Sequence, residues 1–182
     1  VTDLWIGIDP GKTGGLVILD RGGRLVGHSL MPVVGKGTKR SRPSLALLLR
    51  WLEATQEGIR YRDAATPHET VTVAIERVSS APSDGVVSAF SFGRSLQVCF
   101  DFAEAIGAAT VEISPKDWQR TFLRGHRKGS REQIKASAAL VAGERWPELT
   151  ADLQVKARWG LADAALIAAT ARLASLTPPS SC

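Results

Sequence analysis

The sequence predicts an α/β fold in which a five-stranded mixed β-sheet carries α-helices on its faces. Three observations lead there. The first 31 residues hold three short apolar runs separated by turn chemistry, residues 71–76 alternate along a strand, and later segments repeat apolar residues at helical spacing. The 182 residues are 44% hydrophobic and 23% charged, ordinary proportions for a globular chain. A single domain spanning residues 1–182 is expected, with its core over residues 4–173.

The elements follow in order. Residues 4–9, 14–19 and 24–31 are the three apolar runs, and Asp20-Arg21-Gly22-Gly23 supplies a turn between the last two. Residues 35–42 (GKGTKRSR) read as a basic loop. Pro43 suits the first turn of a helix whose apolar positions are Leu45, Leu48, Leu49 and Leu52. In residues 71–76, Val71, Val73 and Ile75 alternate with Thr72, Ala74 and Glu76, the pattern of a fourth strand. A polar turn at 79–84 leads into a long helix through Ile106, with Phe92, Leu96, Cys99, Ala103 and Ile106 on one face. Residues 109–113 form a fifth strand. Ser114-Pro115 opens a helix, Ser130 with Gln133 forms a capping box for another, and residues 161–173 form an Ala-rich last helix.

Composition excludes several classes. No apolar run approaches the ~18 residues needed to span a bilayer, so no membrane partner is expected. Asp3 and Asp9 interrupt the only stretch resembling a signal peptide. Cys99 lies in a helical stretch and Cys182 is the last residue, a pair that reads as reduced thiols in a cytoplasmic protein, bacterial or phage-encoded. Because the sequence starts at Val1, an organellar location is the alternative if a leader was removed. The formal net charge of +5 is too small to name a partner by itself.

Three acids stand where core residues belong. Asp9 ends the first strand, Glu76 ends the fourth, and Asp163 lies within the Ala-rich last helix. Carboxyl ends of strands are where α/β proteins tend to bind ligands. If strands one and four are parallel neighbours, about 4.8 Å apart, Asp9 stands beside Glu76. Adjacent carboxylates repel unless a cation shares them, and oxygen-only donors suit Mg²⁺, with Mn²⁺ as a substitute. Two such ions about 3.5–4 Å apart stabilise both oxygens of an in-line phosphodiester displacement. The plainer alternative for each acid is a capped turn or a satisfied helix position. An acid in an Ala/Leu-rich helix fits that alternative least.

These segments resemble the RuvC-like Holliday-junction resolvases of the RNase H-like superfamily. Residues 6–14 (IGIDPGKTG) are similar to the family's first acidic motif and residues 73–76 (VAIE) to its second. Residues 88–94 (SAFSFGR) are similar to its central helix and residues 160–168 (GLADAALIA) to its C-terminal acidic helix. The stretch from Glu76 to Gly85 looks closer to the phage and plastid branch than to the bacterial housekeeping enzyme. The resemblance implies an RNase H-like fold, a homodimer, Mg²⁺ dependence and paired nicks across a four-way DNA junction that leave 5′-phosphates and 3′-hydroxyls. Asp9, Glu76 and Asp163 are then metal ligands. The sequence departs from the pattern at one place. The family has a further acid or histidine three or four residues before the last acid, and here Gly160 and Trp159 stand there. Asp152, water or a weakened second metal site are the alternatives.

Two other phosphate-site readings fail. A P-loop needs a glycine five residues before Gly11, but that residue is Ile6, inside a strand. Residues 9–15 loosely fit the phosphate loop of actin-like and sugar-kinase ATPases, which need two closing domains.

Eleven of the 23 basic residues fall in two segments. Lys36, Lys39, Arg40 and Arg42 lie in the first basic loop. Lys116, Arg120, Arg124, Arg127, Lys128, Arg131 and Lys135 lie between 114 and 135. Such runs are usually solvated faces, but the glycines at 125 and 129 and a helix opening at Ser130 favour phosphate contact. Lys116 or Lys128 is the candidate to offset transition-state charge, and His126 reads as a surface residue, with a DNA contact or a proton carrier as the alternatives. Phe90 and Phe92 pack a helix on the sheet or wedge into a junction, and Trp5 reads as core. The leading expectation is therefore a metal-dependent endonuclease for four-way branched DNA. Its rivals are a junction-binding protein with weak or no cleavage, and a related nuclease for flaps, forks or RNA.

Overall fold

The computed structural model describes residues 3–37, 41–55, 70–77, 85–124 and 129–177. Five strands form one sheet: β1 (Leu4–Ile8), β2 (Gly15–Asp20), β3 (Leu25–Leu30), β6 (Val71–Glu76) and β7 (Ala109–Ile113), in the order β3-β2-β1-β6-β7. β1 pairs antiparallel with β2, and β2 with β3; β6 runs parallel to both β1 and β7. The sheet is mixed, as the sequence predicts.

Alternation along the strands divides the interior in two. Leu4, Ile6 and Ile8 of β1, with Leu16, Ile18, Val73 and Ile75, face helices α1 (Leu45–Ala54) and α2 (Val86–Ala105). Trp5, Val17, Leu19 and Ala74 face the other way, toward α3 (Pro115–Phe122), α4 (Arg131–Arg145) and α6 (Gly160–Leu176). Trp5 is core, as expected. On that second face α6 lies unusually close to the sheet. A Cβ on Gly7 would come within 2.1 Å of the Ala164 carbonyl oxygen and 2.6 Å of the Ala168 nitrogen. The alanine run of α6 permits this approach, and the helix is buried on all sides from Gly160 to Ala169.

Several boundaries differ from expectation. Pro43 does not enter a helix. It pairs with Val33 in a two-stranded ribbon, β4 (Val33–Val34) with β5 (Arg42–Pro43), and Ser44 precedes α1. A proline is tolerated there because a two-residue strand asks little of its missing N–H. In α2 the buried stripe is Ser95, Cys99, Phe102 and Ala103, so Phe102 takes the core place expected of Phe92. Ser114 caps α3 by accepting from the Asp117 N–H, and Ser130 with Gln133 forms the expected capping box at α4. A short helix α5 (Thr150–Leu153) and two 3₁₀ turns fill the span before α6. Cys99 is buried, and burial pushes its thiol up to about 12. Cys182 and the turn expected at 79–84 lie outside the described residues.

Candidate active site

Register brings two of the acids together. Ile8 of β1 stands opposite Ile75 of β6, so Asp9 and Glu76 emerge side by side from parallel strands. Parity then fixes their direction. Asp9 follows Trp5 and Gly7, and Glu76 follows Ala74, so both belong to the α6 face of the sheet. Asp163 enters from the first turn of α6. All three line one cleft of about 770 Å³ at the carboxyl edge of β1 and β6.

Backbone contacts set the spacing. The Asp9 N–H donates to Gly15 O at 3.1 Å, and Gly11 N–H donates to Asp9 Oδ1 at 3.3 Å. Gly14 forms a parallel bridge with Gly160, so the β1–β2 turn and the start of α6 touch main chain to main chain. A Cβ on Gly160 would sit 2.6 Å from both Thr13 O and Gly14 Cα. No side chain fits at position 160, which is why the further ligand expected one turn before Asp163 has no place there. Trp159 turns its indole N–H to Leu153 O at 3.0 Å. Asp152 is no substitute: His28 Nε2 at 3.1 Å and the Arg158 guanidinium engage it, and it does not line the cleft.

The carboxylates are electrostatically uncomfortable. Burial, then the Asp163 charge, raises Asp9 to about 6. Burial and the Asp9 charge raise Glu76 to about 7, although the Trp118 indole donates to Glu76 Oε1 at 2.9 Å. Burial also raises Asp163, only 4% exposed, despite an ion pair with Lys135 Nζ at 2.8 Å. Burial works against the Lys135 ammonium, yet the Asp163 carboxylate holds its pKa above the ordinary lysine value. Asp163 Oδ1 is buried and has no hydrogen-bond partner among the described residues. Two mutually repelling acids and an orphaned carboxylate oxygen form a hard, all-oxygen donor set that suits a divalent cation. Among the described residues, however, no group of three His, Cys, Asp or Glu side chains is arranged to hold a metal ion. Asp163 Oδ2 is engaged by Lys135 instead.

Cations rim the cleft. Lys12, Arg131 and Lys135 line it, as do Ser41, within the first basic segment, and Phe92. Arg42 is exposed on β5 and Lys36 is exposed ahead of it. Lys116 and Arg124 are exposed and do not line the cleft. Lys39, Arg40, His126, Arg127 and Lys128 lie outside the described residues. Phe90 is 69% exposed near the start of α2, so helix-to-sheet packing does not account for it. Sequence reasoning missed the roles of Lys135 and Trp118. Lys135 had a signal: with Ala138, Ala139 and Ala142 it occupies the i, i+3, i+4, i+7 stripe that α4 buries, an odd place for a lysine. Trp118 carried none beyond its position in a short amphipathic helix.

The architecture has solved counterparts. RuvC of Thermus thermophilus superposes with a TM-score of 0.56 at 20% identity, covering 95% of this chain and 96% of that one. A second structure, T. thermophilus RuvC in complex with a Holliday junction substrate, gives a TM-score of 0.55 at 17% identity with the same coverage. The fold is that of RuvC. It is thus RNase H-like, as the motif order implies. No family model matches the sequence, and no curated protein matches it. Among the described residues no helix is long and apolar enough to cross a membrane.

Proposed function

We propose that this chain is a divalent-metal-dependent endonuclease that cuts four-way branched DNA by paired symmetric nicks, working as a homodimer. The observation that carries the proposal is the meeting of Asp9, Glu76 and Asp163 in one cation-rimmed cleft at the carboxyl edge of a RuvC-type sheet. A four-way junction offers two symmetric cut sites, which a two-fold dimer matches. When bound, Mg²⁺ or Mn²⁺ supplies a positive centre that activates water and offsets charge on a scissile phosphate.

The chain's own residues do the rest. Asp9, held by the Gly11 N–H, and Glu76, held by the Trp118 indole, present carboxylate oxygens at fixed positions. Such fixed donors need no rearrangement at the moment of reaction. Arg131 and Lys12 receive the phosphodiester backbone at the rim. Lys36, Lys39, Arg40 and Arg42, with Lys116, Arg124, Arg127 and Lys128, extend the positive track along the arms. Phe92, which lines the cleft, and Phe90, exposed near the start of α2, are the side chains that would stack on or part bases at the crossover.

The test uses a labelled synthetic four-way junction, a linear duplex, a fork and an RNA hybrid, each with Mg²⁺, Mn²⁺ or EDTA. The junction is cut in paired positions with either metal, EDTA abolishes cutting, and Asp163→Asn binds without cutting. Equal cutting of duplex and junction refutes junction specificity. Preferential cutting of forks or RNA moves the substrate to those classes. A second reading, a junction-binding protein without cleavage, is favoured by the Lys135 contact on Asp163 and the absence of a donor at position 160. Binding with no metal-dependent cutting would establish it.

A further inference from the structure

We propose that the Lys135 ammonium is a built-in cation of the carboxylate cluster, standing where a second divalent ion would otherwise bind, so that the site takes one ion per chain. The inference rests on the metal-dependent reading above.

Three independent observations converge on it. First, Lys135 Nζ sits 2.8 Å from Asp163 Oδ2, and its charge also acts on Asp9 and Glu76. Its side chain is 33% exposed and comes from the stripe that α4 buries against α6, so this is no surface lysine caught in passing. A fixed positive charge among the carboxylates repels a divalent ion approaching the Asp163 side of the cleft while leaving the Asp9–Glu76 side open.

Second, the Asp163 side is short of donors. Position 160 admits no side chain, Trp159 is turned to a backbone carbonyl, and Asp152 is paired with His28 and Arg158. An ion there would find only Asp163 and a shared Asp9 among the described acids. Lys135 already occupies one oxygen of Asp163, and its charge repels an ion that these two acids alone would have to hold.

Third, the charges balance. Three carboxylates are neutralised by one ammonium and one divalent ion. A second divalent ion with Lys135 still in place would leave the cluster strongly positive even before Arg131, which also lines the cleft, is counted.

The decisive measurement is Mn²⁺ stoichiometry on the full chain, by titration calorimetry and by electron paramagnetic resonance of the bound ion. The unmodified chain takes up one Mn²⁺ with an uncoupled spectrum. Lys135→Met, of similar length and no charge, takes up a second, and the two ions show spin coupling. Lys135→Arg keeps the charge and retains one. Circular dichroism melts establish that each variant is folded, and Lys135→Gln serves if Lys135→Met is not. Two ions on the unmodified chain, or an unaltered isotherm in both neutral variants, overturns the role of Lys135 while leaving metal dependence standing. No uptake of Mn²⁺ by any form overturns the metal-dependent reading itself, and this inference with it.

Discussion

Replacing Glu76 by Gln strengthens the metal-free fold at alkaline pH. Burial and the neighbouring Asp9 charge place the folded-state pKa of Glu76 at about 7, against an ordinary 4.5. A carboxyl group raised in this way binds its proton more tightly when folded, so ionisation opposes folding. The penalty is complete above pH 7, shrinks as the pH falls, and is gone below 4.5. At pH 8 it amounts to about 3 kcal/mol, since each pKa unit corresponds to about 1.4 kcal/mol. Glutamine keeps the shape, and its amide oxygen still accepts the Trp118 N–H bond. Urea unfolding in EDTA therefore finds Glu76→Gln more stable than the unmodified chain by about 3 kcal/mol at pH 8 and by under ~1 kcal/mol at pH 5. In thermal melts at pH 8 the gain is about 6–12 °C for a chain of this size. On the proposed metal-dependent reading, saturating Mg²⁺ reverses the order, because a ligand stabilises only the form that binds it. A metal-free variant no more stable than the parent at pH 8 would refute this account of the cluster.

Four further outcomes follow from the same geometry. Trp118→Phe keeps the ring but removes the donor that lowers the Glu76 pKa, so the alkaline rise of metal-dependent cleavage shifts to higher pH; an unmoved profile counts against the positioning role. Gly7→Ala and Gly160→Ala each force a Cβ into main-chain atoms and lose ~1–3 kcal/mol or fail to fold, read by urea midpoint, whereas Gly93→Ala, with open space around it, does not. Burial opposes charge on Asp20, but the Arg24 N–H and guanidinium outweigh it and hold the Asp20 pKa below its ordinary 3.8. Its contribution is present above that value and lost as pH falls through the lowered one, so Asp20→Asn costs ~1–2 kcal/mol at pH 7 and less at pH 3. Neutralising Lys36, Lys39, Arg40 and Arg42 together lowers the slope of log affinity against log salt by about 0.9 for each DNA phosphate that these side chains neutralise in the parent.

The sheet was legible because its strands announce themselves locally. Residues 71–76 alternate, residues 4–8 are an unbroken apolar run between two sheet neighbours, and Ser114 and Ser130 cap helices with their own side chains. The closeness of Asp9 and Glu76 was legible for the same reason, since parallel register turns two strand ends into neighbours. Pro43 misled because a proline at a helix start and a proline on a short edge strand look alike in one dimension. Phe92 was placed on the apolar face of α2 and Phe102 was passed over, because only the position of the sheet decides which ring is covered. Asp152 stood close to Asp163 in the sequence, but its partners His28 and Arg158 come from β3 and a 3₁₀ turn. The Lys135–Asp163 pair joins residues 28 positions apart, and only the packing of α4 on α6 brings them together.

The Gly14–Gly160 bridge has a bearing on how these acids meet a cation. Because the turn that carries Asp9 and the helix that carries Asp163 are joined through their main chains, the two backbones hold a set separation. Neither residue of the bridge can acquire a side chain that would pry it open. Whatever positive group lies between Asp9 and Asp163, the Lys135 ammonium included, is met by side-chain rotation alone.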